Sequence, residues 1–194
     1  GALAFGNSVL LKPAETTPLS FVALMQVLED AGIPRGVVNL VNGRGAVTGE
    51  ALVADPHVGV VTFTGGTGTG RRIGEVCGRH LKKYVAELGG KSANLVFDDA
   101  AYDRALDAAL LSIFSNNGQQ CLAGSRLLLQ RSIADRFLED FRARAARLRV
   151  GCPRDESTDV GPLASAAQLE RVMRFAEEAR SSAQEVSAPL PLAR

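Results

Sequence analysis

A single cysteine, Cys121, lies in the polar stretch FSNNGQQCLAGSR, between a Gly-Gln-Gln turn and an apolar run that begins at Leu127. Its thiol could be a small core hydrophobe, a metal ligand, half of a disulfide or a nucleophile. Polar, turn-forming neighbours are unusual around a buried structural cysteine, whereas a glycine-flanked loop provides the access that a reactive thiol needs. The local sequence therefore favours an accessible thiol.

Glu87 is a second residue that could do chemistry. It stands inside the stretch YVAELGG, near the end of a predicted strand, where an apolar side chain would cost less to place. A carboxylate in such a position is either paired with another group or poised for proton transfer.

Two glycine-rich turns also follow predicted strands. One is the run GGTGTG at 65–70, and the other has Gly43, Gly45 and Gly49, which miss the GxGxxG spacing by one residue. Backbone N–H groups at such junctions can approach a pyrophosphate at the positive end of a helix. The spacing fits equally well with turns that need a positive φ, so both interpretations remain open.

Other clusters favour structural roles. Cys77 and His80 have half of a zinc-site spacing, but the sequence has no second pair within reach, so we predict a helix-face cysteine and no metal site. A run of arginines predicts a solvated helix face; its members are Arg142, Arg144, Arg147 and Arg149.

The composition excludes several classes of protein. The 194 residues are 46% hydrophobic with a net charge of +1 and no Trp, which predicts a globular chain without the basic, aromatic surface of a nucleic-acid-binding protein. No apolar run approaches the length of a membrane span. The three cysteines are an odd number and lie far apart, unlike a disulfide framework. We expect a cytoplasmic protein that binds neither nucleic acid nor membrane.

Strands and helices alternate along the chain. Strands are predicted at 8–11, 36–41, 58–64, 84–88, 94–97 and 126–130. Helices are predicted from an N-cap at Thr17 to a C-cap at Gly32, at about 47–54, through Ile73 and Val76, at 102–117 closed by Gly118, at about 133–148 and at about 166–179. This order predicts an α/β fold of parallel βαβ units in a doubly wound, Rossmann-like sheet.

The stretches VAELGGKSANLVFDDA and FSNNGQQCLAGSR resemble the two active-site signatures of the NAD(P)-dependent aldehyde dehydrogenases. GNSVLLKPAETTPLS, VVNLVNGRGAVTG and VVTFTGGTGTG resemble the family's adenosine-binding strand and its two phosphate-side turns, in the same order. The resemblance covers roughly residues 1–179. It implies a central fragment in which 1–86 belong to the NAD-binding domain and 87–180 open the α/β catalytic domain. Residues 181–194 are expected to be a poorly ordered tail outside the family pattern.

The resemblance assigns roles to the two reactive residues. Cys121 matches the nucleophile that attacks the aldehyde and passes through a thiohemiacetal to a thioester. Glu87 matches the general base that activates water for hydrolysis, which favours a free carboxylic acid over acyl transfer to coenzyme A.

The resemblance also implies a cofactor site. Lys12 and Glu15 match the pair that holds the adenosine ribose, and a carboxylate there would repel a 2′-phosphate, so NAD is favoured over NADP. The other matching positions lie around the phosphates and the nicotinamide: Gly45, Gly49, Thr64, Gly65, Gly66, Leu88 and Gly89. Many relatives carry Ser where this chain has Gly66, which removes a hydroxyl donor to phosphate.

Three functions are compatible with the sequence. The first is NAD-dependent oxidation of a small-molecule aldehyde, the second an inert fragment with weak nucleotide binding, and the third a cysteine hydrolase that uses His57 or His80 as base. In full-length relatives the oxyanion asparagine, the nicotinamide-ribose residues and the arm for homo-oligomerisation lie outside the matched stretch. The identity of the aldehyde is encoded there too.

Overall fold

A computed structural model describes residues 1–182 of the chain. It divides into two compact units, Gly1–Leu88 and a second unit that begins at Gly89. Among the described residues, no helix is long and apolar enough to cross a membrane.

The first unit begins with a 3-10 turn at Leu3–Phe5 and a parallel pair of strands joined by a helix. The elements are β1 (Val9–Leu11), α1 (Leu19–Asp30) and β2 (Val38–Leu40). β1 and β2 pair in parallel, with Val9 opposite Val38. The connecting helix therefore makes the crossover that a parallel pair requires.

The C-terminal end of α1 was predicted correctly, and its N-cap was not. Gly32 is left-handed at φ 78°, its N–H donates to the carbonyl of Glu29 at 2.9 Å, and the next N–H, of Ile33, reaches the carbonyl of Leu28 at 3.0 Å. This Schellman motif confirms the predicted glycine stop. The predicted Thr17 N-cap is wrong, because Pro18 occupies the N-cap position with helical angles and no side chain caps the helix.

The second half of this unit repeats the strand, helix and strand order. Its elements are a π-helical turn at Gly45–Gly49, α2 (Glu50–Ala54), β3 (Val60–Gly65), α3 (Thr67–Arg79) and β4 (Lys83–Leu88). β3 and β4 pair in parallel over six residue pairs. Val53, Val76 and Cys77 are buried between the helices and this sheet, against Val61 and Tyr84.

The second unit packs two helices on a third parallel pair. Its elements are β5 (Ala93–Val96), α4 (Tyr102–Phe114), a 3-10 turn at Ser115–Gly118, β6 (Arg126–Leu129), α5 (Arg131–Ala145) and α6 (Ala166–Ser182). Leu106 and Phe137 are completely buried and join α4 and α5 to Val96 of β5. The Phe137 ring meets Tyr102 edge-on at 5.6 Å between centroids.

The predicted parallel α/β class is confirmed, although the strands of the described residues form three two-stranded sheets rather than one continuous sheet. The predicted helix 102–117 stops at Phe114, because Asn116 and Asn117 have left-handed backbone angles. The predicted helix 133–148 is displaced to Arg131–Ala145. Of the predicted tail, Ser181 and Ser182 lie in α6, and the rest lies outside the described residues.

The predicted arginine face is confirmed only in part, because Arg142 and Arg144 lie in the last turn of α5 whereas Arg147 and Arg149 follow the end of this helix at Ala145. Arg144 of α5 pairs with Asp103, at 2.9 Å, and with Asp107, both on α4. Arg149 pairs with Asp159 at 3.4 Å. These pairs are largely exposed, so each adds little to stability.

Candidate active site

The ends of β1 and β2 bring Lys12 and Glu15 to the first glycine turn. The ammonium group of Lys12 donates to the carbonyls of Pro13, at 2.6 Å, and Gly43, at 3.0 Å. The N–H of Gly45 donates to Oε2 of Glu15 at 3.2 Å. Because parallel strands end at the same sheet edge, residues far apart in sequence meet here.

One glycine of this turn, Gly43, is required by close approach, and another, Gly49, lies in contact with Lys12. A Cβ added at Gly49 would lie 3.6 Å from Cε of Lys12, so the lysine stem passes over this backbone. Gly43 has φ 154°, and a Cβ there would lie 2.0 Å from Oγ1 of Thr48. The glycine spacing alone does not distinguish Gly43 from the other glycines of the turn, and its Asn-Gly context was the available signal.

A second glycine turn lies at the carboxyl ends of β3 and β4. In the parallel register Thr64 lies opposite Glu87, and Gly65 lies opposite Leu88. Gly66 is the N-cap of α3, without a side-chain cap, and a Cβ added there would meet nothing within 4 Å. The first N–H groups of α3 therefore lie beside β4, the strand that carries Glu87. Because these N–H groups have no partner within the helix, they are suited to binding an anion.

Packing between α3 and β4 fixes this turn. Gly70 is buried, and a Cβ there would lie 2.5 Å from a methyl carbon of Leu88. The Tyr84 hydroxyl donates to the carbonyl of Gly70 at 3.0 Å. The absence of a side chain at Gly70 thus lets the first turn of α3 lie directly on β4.

Cys121 lies in the second unit, exposed, on the loop between α4 and β6. After the cysteine, the N–H of Gly124 donates to the carbonyl of Ser112 at 3.1 Å, and the Ser112 hydroxyl accepts from the Asn94 amide at 3.3 Å. A Cβ added at Gly90 would lie 3.8 Å from the carbonyl oxygen of Cys121. The turn that follows β4 therefore lies against the cysteine loop within this unit.

The part of the loop before Cys121 is held by side chains that the sequence analysis did not single out. Asn117 accepts from the N–H of Gly161 at 2.8 Å and donates to the carbonyl of Pro162 at 3.0 Å. Gln119 accepts from the N–H of Ala164 at 3.3 Å. The sequence predicted a helix through Asn117, and nothing in the spacing identified partners so far along the chain.

The candidate residues divide between the two units. Glu87 and Leu88 end the first unit, together with the cofactor candidates from Lys12 to Gly66, and Gly89 opens the second unit, which contains Cys121.

The other two cysteines have different surroundings. Cys77 is 1% exposed and packs against Val53 and Val76, as predicted for a helix-face residue, and burial raises the pKa of its thiol. Cys152 is exposed. His80 is exposed, and the described residues contain no group of three His, Cys, Asp or Glu side chains that could hold a metal ion.

Comparison with known families decides the class of protein. The model of the aldehyde dehydrogenase family matches residues 1–189. The chain belongs to the aldehyde dehydrogenase family. The match continues beyond residue 179, where the motif resemblance described above ends, and includes both stretches around Glu87 and Cys121.

Solved aldehyde dehydrogenases share the fold of this chain. PnpE from Pseudomonas sp. WBC-3 is 47% identical with a TM-score of 0.90, over 93% of this chain and 37% of its own. A betaine aldehyde dehydrogenase from Staphylococcus aureus is 36% identical with a TM-score of 0.89, over 93% and 36%. A variant of the Bacillus cereus aldehyde dehydrogenase is 35% identical with a TM-score of 0.96, over 100% and 40%.

These aldehyde dehydrogenases are much longer than this chain, which spans 36 to 40% of their length. It is therefore a fragment of the family's usual protein. PnpE and the Staphylococcus aureus enzyme were both solved in complex with NAD.

Proposed function

We propose that the protein carrying this chain oxidises an aldehyde to a carboxylic acid with NAD, using Cys121 as nucleophile and Glu87 as general base. The observation that carries the proposal is the exposed thiol of Cys121 on a loop anchored at both ends. A nucleophile must be reachable and must also be held in one place. Family membership supplies the reaction class.

The chemistry assigned to Cys121 has two stages. The thiolate adds to the carbonyl carbon and forms a thiohemiacetal, which becomes a thioester once hydride has left that carbon. NAD, when bound, supplies the hydride acceptor. Glu87 then accepts a proton from the water that attacks the thioester, which releases the acid and restores the thiol.

The cofactor would be held by the two glycine turns of the first unit. Glu15 and Lys12 would bind the adenosine ribose, and the negative charge of Glu15 disfavours a ribose 2′-phosphate, so we propose NAD rather than NADP. The pyrophosphate would lie at the N-terminus of α3. The remaining candidates would line the cofactor: Gly45, Gly49, Thr64, Gly65, Gly66, Leu88 and Gly89.

Three further assignments belong to the same proposal. The cofactor domain would end near residue 86, and residues 87–180 would open the catalytic domain. The free thiols of Cys121 and Cys152 are exposed, which favours a reducing compartment such as the cytoplasm. Homo-oligomerisation is expected of the full-length protein.

Formation of reduced cofactor tests the proposal directly. The purified protein is mixed with NAD and a panel of aldehydes, and absorbance is followed for Cys121→Ala and for a matched control, Cys152→Ala. Turnover that is lost in the first variant and kept in the second supports the proposal. Turnover that survives Cys121→Ala refutes it.

Two other outcomes identify the alternatives. Absence of turnover in a folded sample supports an inert fragment with weak nucleotide binding. NAD-independent hydrolysis of an activated ester that is lost on substitution of His57 or His80 supports a cysteine hydrolase.

A further inference from the structure

Three consecutive residues before Cys121 have left-handed backbone angles. Asn116, Asn117 and Gly118 have φ values of 50°, 57° and 71°. Glycine adopts this conformation freely, but a non-glycine residue persists there only when its surroundings hold it. The path of the chain into Cys121 therefore depends on contacts that stabilise this turn.

The two asparagines make different contacts. The Asn116 amide donates only within the turn, to the carbonyl of Gln119 at 3.2 Å. Asn117 instead uses both ends of its amide on a distant segment, through Gly161 and Pro162. Gln119, two residues before Cys121, accepts from Ala164 in the same segment.

The segment that receives these bonds, residues 149–164, has a brace of its own. The N–H of Arg149 donates to Oδ2 of Asp159 at 2.9 Å, and this bond lowers the pKa of the Asp159 carboxyl. The N–H of Gly151 donates to the carbonyl of Val160 at 3.1 Å. The Thr158 hydroxyl adds a bond to the carbonyl of Cys152 at 2.8 Å. Residues 149–164 thus form a support that is folded on itself.

We propose that Asn117 and Gln119 are positioning residues that fix the Cys121 thiol by clamping its loop to residues 161–164. Without the clamp, the left-handed turn relaxes toward commoner backbone angles and the cysteine backbone moves with it. The catalytic consequence rests on the proposed function of Cys121, but the mechanical claim does not.

Three variants separate the clamp from the backbone conformation. Asn117→Gly keeps a residue that tolerates the left-handed angles and removes both bonds to the support. Asn116→Gly is the matched control, because it makes the same change at the neighbouring left-handed position and leaves the clamp intact. Asn117→Asp keeps the oxygen that accepts from the Gly161 N–H, but it replaces the N–H donor to the Pro162 carbonyl with a second oxygen. This variant therefore removes one of the two bonds and adds no backbone freedom.

Mobility is measured at the cysteine itself. A nitroxide is attached to Cys121 in a Cys152→Ser background, where Cys77 is buried, and its spectrum reports local motion. Amide exchange of residues 115–125 is measured on the unlabelled variants. Asn117→Gly should sharpen the nitroxide spectrum and speed exchange roughly tenfold, as expected for the loss of two hydrogen bonds. Asn117→Asp should give an intermediate change and Asn116→Gly a much smaller one.

Kinetics add a readout that a merely structural role would not change. If the proposed function holds, Asn117→Gly lowers kcat by up to about 10²-fold with little change in KM for the aldehyde, because misplacement affects the chemical step. Equal effects of Asn117→Gly and Asn116→Gly on the spectrum and on exchange would overturn the clamp. A mobile loop in Asn117→Gly, together with turnover that survives Cys121→Ala, would keep the clamp and reject the proposed function.

Discussion

Thr64 and Glu87 lie opposite each other at the carboxyl ends of the parallel strands β3 and β4. The next pair of the register, Gly65 and Leu88, leads directly into the glycine turn that starts α3. A carboxylate and a candidate phosphate-binding turn are therefore placed by the same two strands. Replacement of residues at either strand end should therefore disturb both the carboxylate and the glycine turn, unless the change is confined to the charged group of Glu87.

Glu87→Gln confines the change to the charge. The amide cannot accept a proton from water, so steady-state turnover should fall by about 10² to 10⁴ fold, while the first equivalent of reduced cofactor still forms rapidly. Stopped-flow absorbance separates the two phases. Glu139→Gln, an exposed substitution on α5, is the matched control and should leave both phases intact. Loss of the rapid phase with Glu87→Gln would exclude a role limited to hydrolysis.

Glu15→Gln tests the ribose site. Glutamine can still accept the Gly45 N–H, so the variant removes charge while the local bond is retained. The dissociation constant for NAD should rise roughly tenfold, as expected for the loss of a charge-assisted hydrogen bond, and the preference for NAD over NADP should narrow. Calorimetric titration with both cofactors measures this, with Glu29→Gln at an exposed ion pair as control. An unchanged preference would remove Glu15 from the ribose site.

Gly70→Ala tests the packing of α3 on β4. The new methyl group would meet Leu88 at 2.5 Å, whereas a methyl group at Gly68, in the same helix, would meet nothing within 4 Å. Both changes gain helix propensity, so the difference in unfolding free energy isolates the clash, which should be about 1–3 kcal/mol. Urea unfolding of the two variants measures it. Equal stabilities would show that Leu88 moves aside without cost.

The buried Cys77 thiol predicts a loss of stability in alkali. Burial raises its pKa, against a smaller opposing effect of Lys82. The stability due to the neutral thiol is complete below the unfolded pKa and is lost as pH rises through the folded value. The unfolding free energy should therefore fall as pH rises above about 8.5, the ordinary pKa of a cysteine thiol.

Cys77→Ala separates this effect from that of Tyr84, whose pKa burial also raises. Urea unfolding across the same pH range should show a shallower decline in Cys77→Ala than in the parent protein. An identical decline in Cys77→Ala and in the parent protein would show that ionisation of Cys77 does not cause the loss of stability.

Local chemistry explains which elements were predictable. The helix stop at Gly32 needs only a glycine and its neighbours, and the parallel pairs follow from the alternation of strands and helices. The end of α4 was missed because apolar periodicity continues through Phe114 into a stretch that reads as helix. The left-handed angles of Asn116 and Asn117 are stabilised partly by residues far along the chain, which local patterns do not contain.

The contacts of the candidate site were also predictable only where they follow from local patterns and strand pairing. The meeting of Lys12 and Glu15 with the first glycine turn follows from parallel pairing of β1 and β2. The bonds from Asn117 to Gly161 and Pro162 depend on how a later loop docks, and no spacing rule predicts that.

The most direct test is to trap the covalent intermediate in Glu87→Gln. The variant is mixed with NAD and an aldehyde that supports turnover, quenched in acid before hydrolysis, and digested for mass spectrometry. The account predicts one acyl group on the peptide that contains Cys121 and none on Cys77 or Cys152. Reduced cofactor that forms while Cys121 stays unmodified would contradict it.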